Sequence, residues 1–352
     1  MPHRAFFWFI LPSALAMLLF IALPIVSVVI QSVHIEHPKV MTETETCGPF
    51  NCTTELRVDV DATAELQAAE PLGKFIGLET YLNRNHLASS EVAVLWRESE
   101  GFFSFMRGLY NLPFYKALSF TLVYTFVVTP MVIVLGFCIA VAVNAIPRFL
   151  RGSVIFVSLL PMIVTPLIGS LVLFWMVDAN GVLGSFIQRL FQDPELSLKA
   201  SPPLTWVMLL VYGIWHSAPF AFVVFYAGLQ TVPQDTLESA MIDGASRWER
   251  IRYVVLPHLT PLVTFVALIQ LMDNFRVFEP IVGFNASASA TSLSWIIFND
   301  LFGQQQLFGS AAATSMLTIL GVCILLMPVL IRTWRQYKVC LLYTSPSPRD
   351  RG

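Results

Sequence analysis

Charge is what this sequence has least of. Only 12% of its 352 residues are Asp, Glu, Lys or Arg, against about 25% in soluble domains. A soluble fold this poor in charge could not cover its own surface, so a water-soluble globular class is excluded. The formal net charge of −2 gives no basis for binding nucleic acid. Catalytic signatures are missing as well. There is no G-x-x-x-x-G-K-[ST], so the chain does not hold ATP by a P-loop, and no H-E-x-x-H or G-x-S-x-G occurs. The six His (His3, His34, His37, His86, His216, His258) form no convincing metal set. His34 and His37 are read as interfacial residues at a membrane boundary. Short alternating strands of the outer-membrane barrel type are absent too, because the apolar runs here are long and continuous.

What is present is hydrophobic: 56% of the residues, including 28 Phe and 8 Trp, with a mean hydropathy of +0.68. The class expected is an all-α membrane protein with six transmembrane helices. The first span runs from Phe6 to Ile30, about 37 Å at about 1.5 Å per residue. It is too long for a signal-peptide core and is interrupted by Pro24, so it is expected to stay uncleaved. Residues 31–116 form a net acidic polar insertion. Further spans are expected at Ala117–Asn144, Ser153–Met176, Leu204–Tyr226, Leu259–Ile281 and Ser310–Ile331, so that residues 117–338 form a five-helix core. Arg4, Arg148, Arg151, Arg247, Arg250, Arg252, Arg332, Arg335 and Lys338 all fall on one side of this count. The positive-inside rule then makes both termini cytoplasmic and the insertion extracytoplasmic. The end of the chain, residues 339–352, has no periodicity and is read as a non-native tail.

Five Cys are present. Cys138 and Cys323 sit in apolar runs as small core residues. Cys47 and Cys52, in CGPFNC, are either a disulfide in an oxidising compartment or two free thiols. In the fifth span, Gln270, Asp273, Asn274, Arg276 and Glu279 are polar at membrane depth. Spacing of three is expected to set Asp273 beside Arg276 and Arg276 beside Glu279. This stripe is either the wall of a solute pathway or an internal ion-pair chain. Six Pro (Pro24, Pro130, Pro161, Pro166, Pro219, Pro328) suggest bent helices around a cavity.

One charged stretch, Glu238–Pro257 (ESAMIDGASRWERIRYVVLP), lies between two apolar runs on the cytoplasmic side. Pro233 can open a helix and Gly244 interrupts it. A second short helix is expected from Ala245 to Val255, ending before Pro257. Read from the residues, it is either a docking surface or an ordinary amphipathic loop.

The stretch LQTVPQDTLESAMIDGASRWERIRYVVLPHL resembles the cytoplasmic signature loop of ABC-importer permeases. Glu238, Ala240, Asp243, Gly244, Ala245, Leu256 and Pro257 match it, and Ser239 stands for the usual small residue. FIGLETYL, FYKALSFTLVYTF, WHSAPFAFVVFYAGLQTVP and DNFRVFEPI resemble sugar permeases of the maltose and glycerol-3-phosphate type in order and spacing. The first outside loop is longer than in minimal relatives, and VGFNASASATS lacks the usual Gly-Gly-Pro. The resemblance implies the type I permease fold in a bacterial inner membrane. It implies four kinds of partner: a second permease subunit, two copies of a cytoplasmic ABC ATPase, an extracytoplasmic solute-binding protein and membrane lipid. ATP and Mg would be bound by the ATPase, with no cofactor, metal or catalytic residue in this chain. Residues 229–258 would be the coupling loop. The cargo implied is a sugar, oligosaccharide or polyol, with glycerol-3-phosphate or another polar solute as the rival. An intramembrane enzyme or a membrane scaffold are the more distant alternatives. Substrate contacts are expected from Gln270, Asp273, Asn274 and Arg276, with Trp215 and Phe275 for stacking.

Overall fold

A computed structural model describes residues 3–37, 41–47, 52–193, 197, 199, 202–303 and 306–344. The side chains of Cys47, Cys52, Lys338 and Cys340 lie outside the described set, as do residues 345–352 of the tail. The chain divides into two compact units, Met1–Lys116 with Ile296–Ile319, and Ala117–Trp295 with Leu320–Gly352.

The first unit opens with α1 (His3–Met17), a π-helical turn (Leu18–Ala22) and α2 (Leu23–Gln31). Together they give an apolar span at Trp8–Gln31. No described residue of that span is buried within the chain. The π turn ends two residues before Pro24. A wide i→i+5 turn there relieves the clash between the proline ring and the preceding carbonyls. β1 (His34–Ile35) pairs antiparallel with β4 (Lys74–Phe75), and β2 (Met41–Cys47) with β3 (Cys52–Val58). The second register sets Cys47 opposite Cys52. Asp59 caps α3 (Val60–Ala69) by accepting from the Asp61 and Ala62 amides, and α4 (Glu79–Leu82), α5 (Ser89–Glu98) and α6 (Phe102–Tyr110) follow.

His86 is fully buried. Its Nδ1 lies 2.8 Å from Asn83 Oδ1, and its Nε2 donates to the Ser310 carbonyl at 3.1 Å. The Ser310 hydroxyl donates to Asp300 at 2.7 Å, and the Gly309 amide donates to Glu36. Two anchors therefore tie the insertion to residues 300–310. Burial holds the His86 imidazole below its ordinary value of 6.5, against the opposing pull of the Ser310 carbonyl and Asp300. The sign follows from linkage. The unfolded chain takes up this proton near 6.5 and the folded chain only at lower pH. The stabilisation is complete above 6.5 and is lost as pH falls below it. Acidification from about pH 7.5 to about pH 5.5 is expected to lower the melting temperature, and His86→Gln should flatten that dependence. Thermal unfolding followed by intrinsic fluorescence checks both.

The second unit carries most of the spans. The long α7 (Pro113–Ala145) is followed by α8 (Arg148–Ile163) and α9 (Pro166–Met176), then α10 (Val182–Phe191) and α11 (Pro202–Leu229). Next come α12 (Gln234–Ile242), α13 (Arg247–Arg250), a second π turn (Ile251–Val255) and α14 (Leu256–Phe275). α15 (Glu279–Gly283) also belongs here, whereas most of α16 (Leu293–Phe302) and the first part of α17 (Phe308–Thr344), up to Ile319, belong to the first unit. Phe120, Val128, Val132, Leu209, Phe222, Phe225, Val266 and Ile281 form the core of the second unit. Among the described residues five helices are long and apolar enough to cross a membrane, and the pair α8–α9 makes a sixth if counted as one broken span.

Three expectations are corrected here. The third span is not one helix. α8 and α9 are bent by 92° at Val164–Thr165, both extended. Thr165 precedes Pro166, and the residue before a proline avoids the helical region. The second helix of the charged stretch does not end before Pro257. It runs on from Arg247 to Phe275 as one span. The π turn, again ending two residues before the proline, lets Pro257 sit inside it. The last helix does not stop at Ile331 but continues to Thr344.

Two candidate sites on one helix

The segment around Gly244 is built by local chemistry. α12 ends in a Schellman motif: the Ala245 amide donates to the Ala240 carbonyl at 2.9 Å, and Gly244 to Met241 at 3.1 Å. Gly244 has φ +83°, in the left-handed region that favours glycine, and a side chain there would meet nothing within 4 Å. Ser246 then starts the next helix with a capping box. Its amide donates to the Glu249 carboxylate at 2.7 Å, and Glu249's amide donates back to its hydroxyl at 3.3 Å. Ser246-Arg247-Trp248-Glu249 is a visible S-x-x-E signal that a reading centred on charge pairs passes over. Glu249 serves this cap rather than the interface.

Of the residues expected in this site, Glu238, Ser239, Asp243, Gly244, Leu256 and Pro257 are exposed, and Ala240 and Ala245 are half-buried. Beside them stand Ile242, 86% exposed, and Trp248, 68% exposed, with Met241 and Tyr253 also open. Four large apolar side chains beside a backbone turn are a surface shaped for a protein partner. They were not among the expected site residues. Their signal is apolar residues inside a polar stretch.

The other end of the same helix reaches a cavity of about 450 Å³. Tyr124, Pro166, Tyr212, His216, Asp273, Arg276 and Glu279 are among its lining residues. The break between α8 and α9 forms one wall. Its freed carbonyls are satisfied by α11: the Tyr212 hydroxyl donates to Pro166 at 2.9 Å, and His216 Nε2 donates to Val164 at 3.0 Å. Irregular backbone at membrane depth is tolerated where such partners or a wet cavity receive it. Neither Tyr212 nor His216 was expected here. The signal was the pair Thr165–Pro166, which breaks the helix and so demands donors.

The polar residues of the fifth span separate into two sets. Asp273 and Arg276 form an exposed pair, 3.0 Å apart, on the cavity. Gln270 and Asn274 are buried. Asn274 Nδ2 donates to Thr129 Oγ1 at 3.0 Å and to Gln270 Oε1 at 3.3 Å, although Asn274 also borders the cavity. The stripe does not continue to Glu279 as spacing suggested. α14 ends at Phe275, Arg276 leaves helical geometry at φ −100°, ψ 23°, and Glu279 begins α15. Trp215 is half-exposed with its ring 6.0 Å from Tyr212. Phe275 is 1% exposed and so is a core residue, not a stacking surface.

Residues 102–336 match the family described as binding-protein-dependent transport system inner membrane component. The chain belongs to this family. The match takes in the segment around Gly244 and the cavity alike. A trehalose/maltose transport system permease protein of Thermococcus litoralis is 27% identical over 225 residues, 63% of this chain and 75% of that one. A trehalose transport system permease of Mycobacterium tuberculosis is 28% identical over 238 residues, 66% and 73% of the two chains. The sn-glycerol-3-phosphate transport system permease of Rhizobium meliloti is 26% identical over 228 residues, 62% and 74%. Among solved structures, a bacterial ABC transporter involved in alginate import aligns with a TM-score of 0.57 and 20% identity. That alignment covers 78% of this chain and 93% of that chain, a likeness of fold. The membrane component of a binding-protein-dependent transport system is therefore a multi-pass inner-membrane subunit, with the all-α permease fold described above.

Proposed function

We propose that this chain is one of two permease subunits in an ATP-driven importer for a sugar, oligosaccharide or polyol. The reading rests above all on one observation. A single helix, about 43 Å long for its 29 residues, runs from the exposed turn at Gly244 to the cavity beside Asp273 and Arg276. A partner that pulls on the turn acts on the cavity wall through one continuous element, which supplies the differential contacts that a two-state switch needs. Two cytoplasmic ATPase copies hold ATP and Mg, one against this turn, and an extracytoplasmic binding protein delivers the solute. Both termini are cytoplasmic. No catalytic residue belongs to this chain. The relatives' sugar and polyol-phosphate cargoes favour a hydroxyl-rich solute. Asp273, Arg276 and Asn274 are the cavity-side candidates, with Gln270 behind them holding Asn274, and Trp215 the outer aromatic. Arg276 on the cavity also suits a phosphate, which keeps glycerol-3-phosphate as the second cargo.

Reconstitution of this chain with its second permease, ATPase and binding protein tests the reading. ATP-dependent accumulation of labelled trehalose, maltose or glycerol-3-phosphate is expected. Substrate turnover by the chain alone, or partner binding without accumulation of any solute, overturns it. On the same reading the hairpin β2–β3 lies outside the cell. Its Cys47–Cys52 register is then closed by a disulfide. Intact-peptide mass spectrometry should show residues 41–58 gaining two hydrogens on reduction. A peptide already carrying two alkylated thiols without reduction rejects the bond.

A further inference from the structure

The helix α6 (Phe102–Tyr110) sits two residues ahead of α7, with Asn111 and Leu112 as the only link. Its residues FFSFMRGLY sort onto two faces. At about 100° per residue, Phe102, Met106, Tyr110 and Phe103 fall within an arc of about 100°. All four are exposed, Phe103 at 88%. Phe105 falls outside this arc and turns toward α5, where its ring meets Trp96 edge-on at 5.2 Å. Gly108 lies against Leu95 of α5. The hairpin α5–α6 thus has its own contact, and the aromatic face of α6 is left outside it.

Position decides what covers that face. Three Cα–Cα steps of about 3.8 Å keep Tyr110 within about 11 Å of Pro113. The apolar run of α7 begins directly after Lys116, one turn further on. The first turn of α7 therefore lies in the headgroup zone. α6 is tethered to that zone by its covalent link, whichever side of the membrane it occupies. Arg107, exposed at the edge of the aromatic arc, can reach phosphate oxygens while its stem stays on the apolar side. Two Phe, a Tyr and a Met beside an Arg are the composition of a helix lying in the membrane interface.

We propose that α6 is an interfacial helix whose Phe102–Phe103–Met106–Tyr110 face inserts among lipid headgroups and upper acyl chains. It would fix the depth at which the hairpin α5–α6 rides on the membrane. The inference does not depend on the cargo or the orientation.

Photocrosslinking in the full-length protein tests it. p-Benzoylphenylalanine replaces Phe103 in one variant and Ser104, exposed on the opposite face, in another. The probe keeps an aromatic ring at position 103, so folding is not at issue, and size-exclusion of the complex verifies it. After irradiation in native-lipid vesicles, phospholipid adducts are expected at position 103 at several times the yield at position 104. Three outcomes overturn the assignment: equal lipid yields at both positions, no adduct at 103, or a crosslink from 103 mainly to another polypeptide. The last would make this face a protein-docking surface.

Discussion

Gly244→Val is expected to lower ATP-driven uptake by about tenfold or more while leaving the protein inserted and folded. At φ +83° an L-residue pays roughly 1–2 kcal/mol, and a β-branched one more. About 1.4 kcal/mol is a factor of ten in an equilibrium, so a variant whose exposed turn relaxes out of this conformation must regain it to dock, at a cost of about that in affinity. The side chain adds to it. Nothing in this chain lies within 4 Å of the new Cβ, so the isolated subunit has no clash to relieve, and the added bulk projects into the surface offered to the partner. Gly244→Ala should fall between wild type and Gly244→Val. Glu238→Arg reverses an exposed charge on the same segment and should uncouple uptake by an electrostatic route. Uptake is read in reconstituted vesicles, with fluorescence-detected size exclusion reporting the fold. Wild-type uptake by both Gly244→Val and Glu238→Arg rejects the coupling assignment.

Gly283→Val is expected to act through folding instead. Gly283, in α15, packs on α9. A Cβ there would lie 2.6 Å from the Leu167 carbonyl oxygen and closer still to Ser170 Oγ. The first neighbour is backbone and cannot rotate away, so the α9–α15 contact must open. Overpacking of a tight core costs about 1–3 kcal/mol, sometimes more. The contact also carries the cavity wall at Pro166 and Glu279, so any surviving protein should bind solute less well. The measurement is folded yield and melting temperature in detergent, with Gly152→Ala, where a Cβ meets nothing within 4 Å, as the neutral control. An unchanged melting temperature for Gly283→Val would mean that α15 does not pack this way. The two glycine variants thus separate a defect in docking from a defect in fold.

Much of this could be read from the residues. Low charge and long apolar runs leave few alternatives to a helical membrane protein, because a charged group in hydrocarbon is expensive and every backbone polar group must be satisfied within the chain. The turn at Gly244 was also legible, since one glycine between helix formers in a charged stretch has few other roles. Less legible was the fate of prolines. Pro166 breaks its span while Pro24 and Pro257 are absorbed by π turns. The difference lies in the donors that Tyr212 and His216 bring to the Val164 and Pro166 carbonyls, and these donors come from more than 40 positions away. The polar stripe of the fifth span misled for a related reason. Spacing of three implies neighbours only while the helix lasts, and α14 stops at Phe275.

The sequence by itself determined the membrane class, the approximate spans and the place of the exposed turn. Each follows from composition or from contacts within a few residues, which cost the same free energy wherever the chain goes. Only the tertiary structure decided that the turn at Gly244 and the pair Asp273–Arg276 are the two ends of one helix. Only it showed that Asn274 bonds Thr129 and Gln270, and that the broken third span walls the cavity. Those facts depend on which distant partners satisfy a polar group or fill a gap, and such partners are chosen by packing rather than by spacing.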